Sequence, residues 1–248
     1  MASVSNHRIL AAGDCALAIE FGDVVSRALS GNALSLDSVL RSAQIPGVVE
    51  TVPTFRSLLV SFDPQLTTMD QLAWTIEALI GKTNSAERSS RVWRLPVCYD
   101  SFHAIDLEEI ARYTKLSTSE VVRLHASSRQ HVYMLGFLPG QPYLGDLDTL
   151  LDMPRRRQPR MKVEAGAVGI TGRMTCIFPR ATPCGLNVVG RSPIDLWQRN
   201  ATPNFLLSPG DQVEFEPITA REFDLLSDLR LRTPDVFTRY QQSLELAA

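Results

Sequence analysis

Tyr133-Met134-Leu135-Gly136-Phe137-Leu138-Pro139-Gly140-Gln141-Pro142-Tyr143-Leu144-Gly145 is the part of the sequence from which the fold is read. It opens a longer stretch, residues 131–193, in which short apolar runs alternate with glycine and proline. A basic block follows, Arg155-Arg156-Arg157, Pro159-Arg160 and Lys162. Then come the glycine run Ala165-Gly166-Ala167-Val168-Gly169-Ile170-Thr171-Gly172, Pro183-Cys184-Gly185, and Gly190-Arg191-Ser192-Pro193. Glycine permits positive φ or close backbone approach, and proline fixes φ and removes a donor. Dense use of both between apolar runs predicts a shaped loop surface on a β scaffold. A ligand is sought there first.

Outward from this stretch, short strands dominate: residues 132–135, 168–170, 174–178, 187–190, 204–207 and 212–216, separated by turns such as Ser208-Pro209-Gly210-Asp211. That pattern points to a β-sandwich or a closed barrel. Upstream lie a strand over residues 91–99 and helices over 105–113 and 118–126. The second helix starts at the N-cap Ser117 with Glu120 three residues on. Residues 82–90 are polar and unpatterned and read as a linker. Before them, strands are expected over 7–10, 15–21, 48–52 and 57–62. Helices are expected from about Ser35 to the stop Ile45-Pro46-Gly47, and from Thr67 to Gly81, where Thr67 and Asp70 resemble a capping pair. This is an α+β pattern with helices on one face of an antiparallel sheet. After Ala220 a short helix and a terminal amphipathic helix ending at Leu246 are expected.

With 248 residues, 44% of them hydrophobic and 21% charged, a well-formed core is expected in one large domain or two ordinary ones. The net charge of -2 gives no argument for nucleic acid or an anionic membrane. From Arg155 to Arg191, however, eight Lys/Arg face a single acid, Glu164. Some are solvated side chains; their clustering among turns makes an anionic ligand or acidic partner surface the competing reading. Cys15, Cys98, Cys176 and Cys184 form no C-x-x-C pair, which argues against zinc and redox motifs. The first ten residues resemble no signal peptide, and no run approaches a membrane span, so a cytoplasmic location is expected.

No complete catalytic constellation emerges. His125 and His131 have no metal-ligand spacing, and a lone His is more often structural than catalytic. Gly166-x-x-Gly169-x-x-Gly172 matches neither a P-loop nor a dinucleotide fingerprint. It reads as barrel turns or, alternatively, as amides facing an anion. There is no G-x-S-x-G. Cys176 sits in an alternating strand, and Cys184 lacks an activating base.

The order Tyr133…Gly136-Phe137-x-Pro139-Gly140-x-Pro142-Tyr143-Leu144, Pro154-Arg155, Pro159-Arg160, Gly169-Ile170-x-Gly172, Thr175-x-Ile177-Phe178-Pro179, Pro183-x-Gly185, Gly190-Arg191-Ser192-Pro193 and Pro209-Gly210-Asp211 resembles a known family. It is the B subunit family of the bacterial 5-oxoprolinase, also called allophanate hydrolase subunit 1, the C and D half of a biotin-type carboxyltransferase domain. Gly13-Asp14, Pro46-Gly47-Val48-Val49-Glu50, Pro53-x-x-Arg56-Ser57-Leu58 and Val97-Cys98-Tyr99-Asp100 extend the resemblance over about residues 8–218.

The resemblance implies a small α+β N-terminal domain (residues 1–84), a cyclophilin-like β-barrel (85–220) and a C-terminal helical tail (221–248). It implies two further 5-oxoprolinase components as partners, a homologous C subunit and, in the full complex, the A subunit. It also implies ATP, used by the assembled complex, with no metal or biotin site in this chain. That complex opens 5-oxoproline to glutamate; phosphorylation of the amide oxygen of an unstrained lactam supplies a good leaving group. The chain is expected to be inactive alone. Relatives also occur within urea carboxylase, and one is described as a histidine-kinase inhibitor. The substrate-binding residues so implied are His125, Tyr133, Phe137, Pro139, Gly140 and Tyr143 on one wall. Arg155, Arg160, Thr175, Pro183, Gly185, Gly190 and Arg191 lie across from them. The chain departs from the family where Gln141, Cys184 and Leu186 stand, which leaves the lactam or amide open.

Overall fold

A computed structural model describes residues 7–80, 89–199, 202–232 and 241–246. Two compact units divide the chain, one over residues 1–88 and one over residues 89–247. In the first, strands β1 (Arg8–Ala11), β2 (Ala16–Glu20), β3 (Val48–Pro53) and β4 (Ser57–Phe62) form an antiparallel sheet in the order β1-β2-β4-β3. The period of two along β2 and β4 puts Leu17, Ile19, Leu58, Val60 and Phe62 on one face. There they pack with Ala33, Leu36 and Leu40 of α1 (Arg27–Ala43) and Leu72, Ile76 and Ile80 of α2 (Met69–Ile80). Each such aliphatic side chain contributes about 1.5–3 kcal/mol by leaving water.

Helix α1 starts well before Ser35. Ser26 caps it by accepting from the Leu29 amide, and Gly31 and Asn32 mask this start by interrupting the apolar pattern. The cap of α2 lies one residue later than expected: Thr68 and Gln71, not Thr67 and Asp70, exchange backbone-to-side-chain bonds. Most of the expected linker lies outside the described residues; Ser89 and Ser90 already belong to strand β5 (Ser89–Cys98).

The second unit is a closed barrel. Around it run β12 (Asn187–Arg191), β9 (Ala167–Thr171), β10 (Met174–Ile177), β7 (Pro142–Gly145), β6 (Gln130–Leu135), β13 (Gln212–Ile218) and β5, and β12 meets β5 at Arg191 and Cys98. All neighbours are antiparallel except β5 and β13. Closure depends on Gly190: a Cβ there would stand 2.7 Å from Val97 Cγ1 and 3.0 Å from the Cys98 carbonyl oxygen. Inside, Leu95, Val97, Val132, Leu144, Val168, Ile170, Ile177, Val189, Val213 and Phe215 form the core. Ile110 and Ala111 of α3 (Leu107–Thr114) and Val121 and Leu124 of α4 (Thr118–Ser127) join it. The expected capping box of α4, Ser117 with Glu120, is present.

Alternate residues on the same strands serve a second, outer cluster. Ala167, Cys176, Phe178 and Val188 pack with Val163, Cys184 and Leu186, and the half-buried Tyr143 lies against them. A two-stranded sheet, β8 (Arg160–Val163) with β11 (Thr182–Cys184), carries Val163 and Cys184 of that cluster and forms a flap. Strands buried on both faces explain why this stretch reads as continuous apolar runs rather than clean alternation.

Two expectations are corrected. Residues 204–207 form no named strand; only Phe205 bridges to Trp197. Among the described residues of the terminal segment, 241–246, there is no helix. After α5 (Ala220–Arg232), residues Gln241–Leu246 form strand β14, antiparallel to β5. Backbone pairing along the open edge of β5 outweighs a helical apolar period too short to hold a helix alone.

Candidate functional site

Within the barrel, His125 at the end of α4 is fully buried. Its Nδ1 lies 2.8 Å from the Tyr99 hydroxyl and its Nε2 lies 3.4 Å from Thr175 Oγ1. The ring stacks on Phe215 at 4.7 Å. Burial drives the imidazole pKa down to about 3 and pushes the Tyr99 phenol far up. His125 is therefore a neutral strut joining α4 to Tyr99, one residue past β5, and to β10 and β13. His125 and Thr175 belong to the closed core.

The outer face is where charge collects. Asp106, the N-cap residue of α3, is buried, and its carboxylate ties four elements together. It accepts from Arg160 Nη1 at 2.7 Å and Nη2 at 2.5 Å, from Arg156 Nη1 at 2.8 Å, and from the Val188 amide at 2.7 Å. Arg156 also donates to Glu109 at 2.8 Å, and that bond holds the Glu109 carboxyl below its ordinary range. The bidentate pairing places Arg160 in the scaffold of the flap, neutralised by Asp106. Beside it, Arg155 is exposed. Its charge acts on Tyr143, Cys176 and Cys184. Burial raises all three; Arg155 partly opposes this, and Cys176 still reaches about 12. Neither thiol is poised as a nucleophile. Pro183 is exposed on β11, and the Gly185 carbonyl accepts from the Arg156 amide at 2.9 Å.

The loop between β6 and β7 projects a single aromatic. The Leu138 amide donates to the Gly136 carbonyl at 2.9 Å around Phe137, which takes φ 69° and is 71% exposed. Positive φ at a non-glycine residue stores strain, which points to a selected conformation. The next turn has the exposed Pro139 followed by Gly140 at φ 75°. A Cβ on Gly140 would meet the Leu196 carbonyl at 3.0 Å and Phe205 at 3.2 Å. Tyr133 packs its buried ring over Gly145 and donates its hydroxyl to Asp146 at 3.1 Å.

Thus the implied residues form separate groups, not one wall and its opposite. Tyr143, Arg155, Arg160, Pro183 and Gly185 gather around the flap. Phe137, Pro139 and Gly140 shape a loop, Tyr133 braces it, and His125 and Thr175 are core. Gly190 closes the barrel, and Arg191 lines a cavity against α5. The departures are also placed. Cys184 and Leu186 fill the outer apolar cluster, and Gln141 is buried beside the loop turn. The anion-cradle reading of the glycine run is overturned: the Gly166 amide donates to the Phe178 carbonyl at 2.7 Å, and the Gly172 amide donates to the Met153 carbonyl at 2.5 Å. Those amides are spent on bonds to distant segments of the barrel unit. Asp106 and Tyr99 stand outside the implied set, although Ala104-Ile105-Asp106 ahead of a helical run carries a capping signal. Among the described residues, no three His, Cys, Asp or Glu side chains are grouped to hold a metal.

The family model of the carboxyltransferase domain, subdomain C and D, matches residues 7–207. The B subunit of 5-oxoprolinase from Bacillus subtilis (strain 168) is 32% identical over 222 residues, which cover 85% of this chain and 92% of that protein. The crystal structure of TTHA0988 superposes with a TM-score of 0.74 at 34% identity, covering 83% of this chain and 40% of that one. This chain therefore spans well under half of that solved protein. The K. lactis urea amidolyase structure gives a TM-score of 0.80 over 99% of this chain and 16% of its own length, at 22% identity, a likeness of fold alone. The chain belongs to the carboxyltransferase family of subdomains C and D.

Proposed function

We propose that this chain is the B subunit of an ATP-dependent 5-oxoprolinase, which opens 5-oxoproline to glutamate together with a homologous C subunit and with the A subunit. The observation that carries the reading is the near full-length match to the B. subtilis protein, 92% of which is covered. The site most suited to substrate is the flap face. There Arg155 supplies an exposed guanidinium for a lactam carboxylate, and Tyr143 a half-buried ring and hydroxyl beside it. Asp106 positions this face through Arg156 and Arg160. Phe137 offers an exposed aromatic surface to lactam or partner.

ATP is not assigned to this chain. Its glycine run does not fit a triphosphate, because the Gly166 and Gly172 amides are already bonded to backbone carbonyls. A chain that contributes half of a composite site is inactive alone. We place it in the cytoplasm with its partners. No described helix is long and apolar enough to cross a membrane.

The test is reconstitution with the C and A subunits, followed by measurement of 5-oxoproline-stimulated ATP hydrolysis. No stimulation rejects the reading, and turnover that requires a biotin carrier and urea favours the carboxyltransferase alternative. Binding of a histidine kinase without any C subunit favours the inhibitor alternative. Within an active complex, Arg155→Gln is expected to raise KM for the lactam about tenfold with little change in kcat, the signature of lost uniform binding.

A further inference from the structure

Away from the flap, the turn between β5 and α3 holds His103 against helix α5. The turn is fixed by its own bonds. The His103 and Ala104 amides donate to the Asp100 carbonyl at 2.8 and 2.7 Å, and the Asp100 carboxylate accepts from the Phe102 amide at 3.1 Å. His103 is only 9% exposed, and its ring lies 4.2 Å from the ring of Phe223 on α5. Among the described side chains of α5, Phe223 alone is buried, so the helix docks chiefly through that ring. Its first turn is capped locally: the Thr219 amide donates to the Glu222 carboxylate at 2.8 Å, and the Glu222 amide donates to Thr219 Oγ1 at 3.2 Å. A helix of 13 residues does not persist in water without packing, so releasing Phe223 would also melt α5.

This contact tolerates a neutral imidazole better than a charged one. Nδ1 of His103 is buried and has no hydrogen-bond partner among the described residues. A neutral ring can leave that nitrogen without a proton, whereas an imidazolium carries N–H on both nitrogens. Protonation in place therefore buries a charged donor that lacks an acceptor. Arg191 of β12, Asp100 of the turn and Asp224 of α5 all act on the ring. Burial and then Arg191 hold its pKa below the ordinary 6.5, and the two carboxylates only partly oppose them. The docked state thus binds the proton less readily than the released state. Docking is strongest above about pH 6.5 and weakens as the pH falls from there.

We propose that His103 and Phe223 form a proton-operated latch, in which protonation of His103 releases helix α5 from the rest of the barrel unit. Release removes the α5 wall from the cavity that Ser192 and Pro193 line on the other side. The latch is independent of the 5-oxoprolinase reading. With the docked ring neutral and the released ring titrating near 6.5, the open population rises about tenfold between pH 7.5 and pH 5.5.

Hydrogen exchange of the full chain at those two pH values, read by mass spectrometry and corrected for the intrinsic pH dependence of amide exchange, tests the latch. In the wild type, protection over α5 is expected to stay below that of the buried strand β9 and to fall by about five- to tenfold on acidification. His103→Phe keeps a ring against Phe223 but cannot titrate, and its α5 protection is expected to change by less than about twofold. His103→Gln is a second non-titrating variant with the same expectation. Phe223→Ala is expected to leave α5 unprotected at both pH values. A wild-type fall below about twofold, or an equal fall in both His103 variants, overturns the proposal. So does α5 protection equal to that of β9, which would make the opening global, or full protection retained in Phe223→Ala.

Discussion

Two buried carboxylates hold the barrel unit together, and they do so differently. Asp211, on the turn before β13, accepts from Arg91 Nε at 3.0 Å and Nη2 at 2.8 Å, from Trp93 Nε1 at 2.9 Å, and from the Ser208 amide at 2.8 Å. One cation and two neutral donors satisfy it, and every partner belongs to the barrel wall or its turn. Asp106 instead gathers Arg156 of the irregular segment leading into the flap, Arg160 at the start of the flap strand β8, and the Val188 amide of β12. Asp211 completes a wall; Asp106 fastens a surface onto one. Charge is therefore balanced locally around Asp211. Around Asp106 the second arginine needs Glu109 as well.

Breaking the comparison starts with the larger effect. Asp106→Ala strands two partly buried guanidiniums, a change that typically costs about 3–5 kcal/mol. Urea denaturation followed by tryptophan fluorescence measures it; a loss below about 1 kcal/mol would mean that water solvates both arginines. Asp211→Asn keeps the shape but removes the charge facing Arg91, which remains partly exposed, and about 1.5–3 kcal/mol is expected to be lost. If this variant proves the less stable of the two, the wall-versus-surface distinction fails.

The barrel interior extends the contrast, since its polar chain Tyr99–His125–Thr175 carries no charge. The folded imidazole titrates near 3 and the unfolded one near 6.5. The unfolded state therefore takes up the proton first as the medium is acidified. This contribution to stability is full above pH 6.5 and is lost as the pH falls from there toward 3, reaching roughly 2 kcal/mol by pH 5. Comparing unfolding free energies at pH 7 and pH 5, His125→Phe is expected to lack that component. An equal acid-induced drop in both proteins would refute the assignment.

The same residues show what a sequence discloses. Asp211 stands in Ser208-Pro209-Gly210-Asp211, where local turn chemistry announces it. Strand β4 and the Ser117–Glu120 cap are likewise legible, because alternation and capping are encoded within a few residues. Asp106 is not, since its four donors come from residues 156, 160 and 188, and nothing local marks a carboxylate that will meet them. The candidate pocket residues split for the same reason. Successive strand residues face opposite sides, so Thr175 enters the core while Cys176 enters the outer cluster. Order along the chain establishes which motifs are present, but register decides which of them meet. The short strand β11 is hidden by Pro183, which interrupts its apolar pattern. Strand β14 reads as a helix in isolation because its pairing partner lies far upstream.

Strand β5 opens the barrel and bonds in parallel to β13, so Val92 meets Gln212. Arg91 and Asp211, 120 residues apart, bolt the same seam. On a ribosome adding about 5–20 residues per second, β5 emerges roughly 6–24 s before its partner exists. Through that interval its apolar face and both backbone edges are unprotected, and Trp93, Leu95 and Val97 are the side chains at risk. The seam that makes the finished barrel a closed ring thus makes the nascent chain most vulnerable at its first strand, and a holdase would be needed there first.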